Sequence, residues 1–153
     1  MKVSEWMTAE VLSCCKGDSM ERAAQIMWDH DCGCVPVLGE RGRVEGLITD
    51  RDIAMAAYTS GRTLGALPVE RAMSCSVQAC EPEDGIEEAL DLMAQHQLHR
   101  LPVVDAEQRI VGMPSLADVV QIAPQQDGRA RGKGAERRLA VCGELNRPPG
   151  GPA

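Results

Sequence analysis

Apolar positions in the first 123 residues follow two rhythms, and each change of rhythm marks an element. Met20, Ala23, Ala24 and Met27 recur at three- and four-residue spacing, as do Ile86, Ala89, Leu90 and Met93. That spacing lays an apolar stripe along a helix, so each set predicts a helix with one buried face. Asp18 and Asp84 each stand three residues before a Glu, Glu21 and Glu87, a pattern that caps the free N–H groups of a first turn. After each helix come two short β-rich runs: Val35 to Leu38 then Val44 to Ile48, and Leu101 to Val104 then Ile110 to Met113. Gly39 and Gly42, or the stretch Asp105 to Arg109, separate the runs, so both pairs read as hairpins. A short extended segment precedes each first helix (Val11 to Cys14, Val77 to Cys80), and Thr49 or Ser115 opens a second one.

The two sets are copies of one unit. Pro36 and Pro102 stand 66 residues apart, and the same offset, without a gap, pairs Met7 with Met73, Asp18 with Asp84, His30 with His96, Gly46 with Gly112 and Asp52 with Asp118. Each copy runs strand, helix, strand, strand, helix. The predicted class is therefore α+β, with two units packed sheet to sheet about a pseudo-two-fold axis. Residues 1–66 hold the first unit with its lead-in and linker, 67–123 the second, and 124–153 a basic tail expected to be mobile. A unit this small is marginal alone, which explains why two come together.

Composition narrows the function. Hydrophobic residues make up 44% of the 153, enough for a core and too many for wholesale disorder. The net charge of −7 does not suit a nucleic-acid binder, and with only Trp6, Trp28 and Tyr58 aromatic there is little for bases to stack on. The tail, with 6 basic and 3 acidic residues, departs from the acidic body and could touch an acidic partner. No apolar run approaches the ~20 residues that span a bilayer. The start, Met1 to Thr8, carries Glu5 and no signal-like apolar stretch, so a cytoplasmic location is expected. The seven cysteines are odd in number and lack disulfide-framework spacing, so reduced thiols are expected.

The runs VPVL and LPVV, followed by VEGLITDRDI and IVGMPSLADV, resemble the CBS domain pair, or Bateman module. The most specific part is Gly46-Leu-Ile-Thr49-Asp-Arg-Asp52, recurring as Gly112-Met-Pro-Ser115-Leu-Ala-Asp118. The resemblance implies two clefts that bind adenosine-containing ligands (AMP, ADP, ATP or S-adenosylmethionine) and so regulate a separate effector protein, with no cofactor required. It assigns the ribose to Asp52 and Asp118, the phosphate neighbourhood to Thr49 and Ser115, and the adenine slot to the apolar segments at Val11 and Val77. It also implies a homodimer. His99 and Arg100, before Leu101-Pro102-Val103, resemble the basic pair that holds nucleotide phosphates in the family. Read from the residues alone, Thr49 to Asp52 and Ser115 to Asp118 are equally helix caps, the valines sheet core, and the basic pair a complement to a helix C-terminus.

Two departures bear on the sites. The positions equivalent to His99 and Arg100 are Gly33 and Cys34, without charge, so either the two sites share the second copy's basic groups or one site is weak. Pro114 replaces Ile48 and removes a backbone donor from the strand before Ser115. The other chemical cluster is His30-Asp-Cys32-Gly-Cys34, which leaves open a thiol- or metal-responsive module, although C-x-C beside a His lacks the spacing of a zinc site. A dimerisation scaffold with empty clefts is a third reading. No nucleophile elbow, P-loop or H-E-x-x-H occurs, so an enzyme is not expected and no catalytic or metal residue is assigned.

Overall fold

The computed structural model describes residues 1–118. The tail, residues 119–123 and Cys142 lie outside the described residues. The first unit places β1 (Cys14–Cys15), α1 (Met20–Asp29), β2 (Cys34–Leu38), β3 (Val44–Thr49) and α2 (Asp50–Ser60) in the expected order. The sheet runs β1-β2-β3, with β1 parallel to β2 and β2 antiparallel to β3. The second unit repeats it with α3 (Ile86–His96), β4 (Val103–Val104) and β5 (Ile110–Gly112), and the chain is helical again over residues 116–118. Its first strand shrinks to a parallel bridge between Cys80 and Val103.

The second hairpin is shorter than its pattern predicts, and Pro114 supplies the reason. In the first copy, Val35 pairs with Ile48 and Cys34 with Thr49. At the equivalent place Leu101 N–H still reaches the Pro114 carbonyl at 3.2 Å, but Pro114 has no N–H to return, and the ladder stops at Gly112.

The first-helix caps fall one residue later than the sequence suggests, which corrects the assignment to Asp18 and Asp84. The N-cap of α1 is Ser19, whose Oγ accepts from Arg22 N–H at 3.2 Å. That of α3 is Gly85, whose N–H donates to the Glu88 carboxylate at 3.3 Å. Asp18 and Asp84 instead close the turn before the helix, each accepting the N–H three residues back, from Cys15 and Glu81, at 2.8 Å. An Asp suits such a local turn as well as it suits a cap.

The segments before the units exchange places. Val3 N–H donates to Asp84 O at 2.9 Å and Ile86 N–H to Met1 O at 3.1 Å; Val69 N–H donates to Asp18 O at 2.8 Å and Met20 N–H to Leu67 O at 2.7 Å. The two apolar cores follow this crossing. Leu67 and Val69 join Met20, Ala23, Ile26, Met27, Val35, Val37 and Ile48. Val3 and Trp6 join Cys80, Ala89, Met93, Leu101 and Val103. Each core is closed by the strip that leads into the other unit. The hairpin turns also meet, in an antiparallel bridge between Arg43 and Arg109, which are themselves 66 residues apart.

Candidate functional site

Both T/S-x-x-D segments open helices, and both close reciprocal capping boxes. Asp52 N–H donates to Thr49 Oγ1 at 3.1 Å while Thr49 N–H donates to Asp52 Oδ2 at 2.9 Å. Asp118 N–H donates to Ser115 Oγ at 3.3 Å, and Ser115 N–H and Oγ–H reach Asp118 Oδ2 at 2.9 and 2.8 Å. The loss of a donor at Pro114 therefore leaves the second box formed. The capping role is real, and in both boxes it engages Oδ2, so Oδ1 has no protein partner among the described residues. A carboxylate oxygen held at a helix start beside free N–H groups is a ready acceptor for a hydroxyl pair.

Positions 34 and 100 are equivalent in the two units. Cys34 pairs with Thr49 across β2 and β3, and Arg100 forms the equivalent bridge to Ser115. Arg100 is half-buried and His99 exposed, with the His99 carbonyl accepting Leu116 N–H at 3.0 Å. Burial pushes the Cys34 thiol up to about 12, against the pull of the Arg100 guanidinium and with the Asp52 and Asp50 carboxylates adding to the rise. The Arg100 guanidinium of the second unit thus favours the ionised form of a thiol in the first. Val11 and Val77 are half-buried in the segments ahead of Cys14 and Cys80.

Among the described residues an open groove of ≈ 320 Å³ runs beside α2, lined by Met20, Asp52, Met55, Ala56, Leu67 and Arg71, with Ala72, Thr59 and Ser60 completing it. Asp52 is the one residue picked from sequence that lines it. Met55, Ala56 and Arg71 were not singled out, although Ala56 stands four residues, one helical turn, after Asp52.

The His30 to Cys34 cluster does not assemble a metal site. His30 caps the C-terminus of α1 and is exposed, while the Cys32 thiol points to the Ile26 carbonyl at 4.0 Å. No group of three or more His, Cys, Asp or Glu side chains suited to a metal occurs among the described residues. The six described cysteines are unpaired. Among the described residues no helix is long and apolar enough to cross a membrane.

Comparison with known proteins places these features in a family. The CBS domain matches twice, over residues 3–58 and 69–124. The CBS domain-containing protein YhcV of Bacillus subtilis (strain 168) is 37% identical over 130 residues, covering 84% of this chain and 91% of that protein. Hypoxic response protein 1 of Mycobacterium tuberculosis (strain ATCC 25618 / H37Rv) is 31% identical over 119 residues, covering 78% and 82%. A crystal structure of Hypoxic Response Protein I with two coordinated zinc ions has a TM-score of 0.72 at 29% identity, covering 79% of this chain and 98% of that one. The CBS domain pair of protein MJ0100, solved with 5-methylthioadenosine and S-adenosyl-L-methionine, has a TM-score of 0.73 at 22% identity, covering 83% and 98%. Two matched repeats, a 66-residue offset and reciprocal packing describe one thing: this chain belongs to the CBS domain family, as a tandem pair.

Proposed function

We propose that the chain is a regulatory module that binds an adenosine-containing ligand between its two units and acts on a separate effector protein rather than catalysing a reaction. The observation that carries this is the capping box at Asp52, which engages Oδ2 and leaves Oδ1 without a protein partner among the described residues. A nucleotide presents a diol and an anion a few ångströms apart, and the pairing of a carboxylate acceptor with a guanidinium suits it. In this reading the free Oδ1 of Asp52, and of Asp118 in the second cleft, accepts the ribose hydroxyls. Thr49 and Ser115, with the helix N-termini they cap, face the phosphate side. Arg100 and His99 hold the phosphate from across the units, and the segments at Val11 and Val77 form the apolar slot for adenine. The adenosyl compounds in the MJ0100 pair support the ligand class. We further propose a homodimer, because Trp28 on α1 and Tyr58 on α2 are 88% and 82% exposed, large aromatic surface of the kind that interfaces cover.

Isothermal titration of the full chain with AMP, ADP, ATP and S-adenosylmethionine tests the reading, with Asp52→Ala and Arg100→Ala as variants. At least one ligand is expected to bind, with affinity falling more than tenfold in Asp52→Ala. Absence of binding by all four overturns it. The zinc ions of Hypoxic Response Protein I motivate a parallel zinc titration, in which stoichiometric tight binding would favour a metal-responsive module.

A further inference from the structure

The two units repeat one backbone, so unlike side chains at equivalent positions show what each unit does with the same space. Trp6 and Ala72 are such a pair. Each follows a 3-10 turn, Val3–Glu5 or Val69–Arg71, with φ and ψ of −133° and −4° at Trp6 and −128° and −10° at Ala72. Each donates its N–H to the valine that opens the turn, Trp6 to Val3 O at 3.2 Å and Ala72 to Val69 O at 3.1 Å. In the second core this position carries an indole that is 6% exposed. In the first it carries a single methyl, and the ≈ 320 Å³ groove stands there.

The rest of the lining specifies an occupant. Met20 and Leu67, both buried, and Met55 and Ala56 of α2 supply apolar surface, and thioethers adapt to flat rings. Two charges of opposite sign, Asp52 and Arg71, line the same groove. Arg71 makes no side-chain hydrogen bond or ion pair among the described residues, so its guanidinium is available. The volume is at the lower end of the roughly 300–1,000 Å³ typical of small-molecule sites, room for one small ligand.

We propose that this groove binds a planar bicyclic aromatic of the indole type carrying an acidic substituent. The ring takes the place that the Trp6 indole fills in the other unit, with its acid on Arg71. Beside the two charges, the Thr59 and Ser60 hydroxyls are the polar side chains of the lining, and adenine, which carries no acid for Arg71, suits the groove less well than an acidic indole. Asp52 lines it, whereas Thr49, His99, Arg100 and Ser115 do not, so the groove adjoins the proposed adenosyl site at that one carboxylate.

The test is titration of the full chain, methyl-labelled at methionine, with indole-3-acetate, indole and adenine. Indole-3-acetate is expected to shift the Met20 and Met55 methyls saturably while leaving Met93 unmoved, with indole about tenfold weaker and adenine not saturating. Ala72→Trp should raise the melting temperature by a few degrees, as filling a cavity does, and abolish the shifts. Arg71→Gln should bring the two indole probes within twofold of each other. Absence of saturable shifts in the unmodified chain, or persistence of binding in folded Ala72→Trp, overturns the site. Adenine binding as tightly as indole-3-acetate overturns the ligand class. If Ala72→Trp does not fold, the indole-shaped fit is refuted for that wall, and Ala56→Leu, which narrows the groove from α2, decides whether the site exists by the same loss of shifts.

Discussion

Met73 lies directly on Gly46: a Cβ at Gly46 would stand 2.9 Å from the Met73 sulfur and 2.9 Å from the Ser74 carbonyl oxygen. The motif glycine is there because the lead-in to the second unit crosses it, with Leu47 and Ser74 exchanging backbone hydrogen bonds at 3.0 and 2.8 Å. Gly112 is approached by Met7 in the same manner, with Met7 Cγ at 2.8 Å from the added carbon, but there the three nearest atoms all belong to the Met7 side chain. Gly46→Ala should therefore cost about 1–3 kcal/mol in urea unfolding. Adding Met7→Ala should restore most of the loss in Gly112→Ala. Adding Met73→Ala to Gly46→Ala should restore less than half, because the Ser74 carbonyl remains.

The capping box separates stability from binding at Asp52. Thr49→Ala removes the acceptor of the Asp52 N–H and should cost about 0.5–2 kcal/mol, readable as a lower urea midpoint. Asp52→Asn keeps an oxygen for the Thr49 N–H but removes the charge, so it should weaken adenosyl binding several-fold with a smaller stability change. Equal affinity in Asp52→Asn and the unmodified chain would count against a ribose contact.

The two tryptophans report on different things. Trp6 is 6% exposed in the second core, whereas Trp28 is 88% exposed on α1. Trp28→Phe should leave a blue-shifted emission that moves red only on unfolding. Trp6→Ala should cost about 3–5 kcal/mol, and removal of residues 1–8 at least as much, since Val3 leaves with it. An undiminished melting temperature after that removal would contradict the packing.

Burial raises two core thiols from their ordinary 9.0 to about 11, Cys14 and Cys80. Above pH 9 the unfolded chain releases these protons while the folded chain keeps them, so stability must fall as pH rises through 9 toward 11. Urea midpoints at pH 8 and 10.5 should show the loss, and Cys80→Ala should reduce it. At pH 8 a thiol reagent should modify exposed Cys15 and Cys75 first, leaving Cys14 and Cys80 protected until the chain unfolds.

What could be read from the sequence was whatever a local pattern encodes. The stripe Met20, Ala23, Met27, the hairpin runs and the pairing of Pro36 with Pro102 carried the elements and the duplication, and Thr49 was placed correctly as a cap. Ser19 and Gly85 were missed because Asp18 and Asp84 satisfy the same acid-plus-three pattern while serving the turn before the helix. The crossing of the lead-ins could not be seen, because Val3 and Val69 have the same local context and nothing along the chain says which core each enters. The electrostatic pull of Arg100 on the Cys34 thiol is likewise a relation between units, hinted at only by the missing charge at 34. The groove at Ala72 had one signal, its alignment with Trp6, which becomes meaningful once the shared backbone is known.

The exchanged strips give the pair a particular kind of cooperativity. Freeing Leu67 and Val69 from the first core frees the connection that positions the second, and freeing Val3 and Trp6 opens the second directly. Swapping an identical segment between neighbours is how two separate chains lock into a symmetric dimer. Here both partners of that swap are carried on one polypeptide, so the clasp forms at the effective concentration set by a short linker rather than at that of the protein in solution.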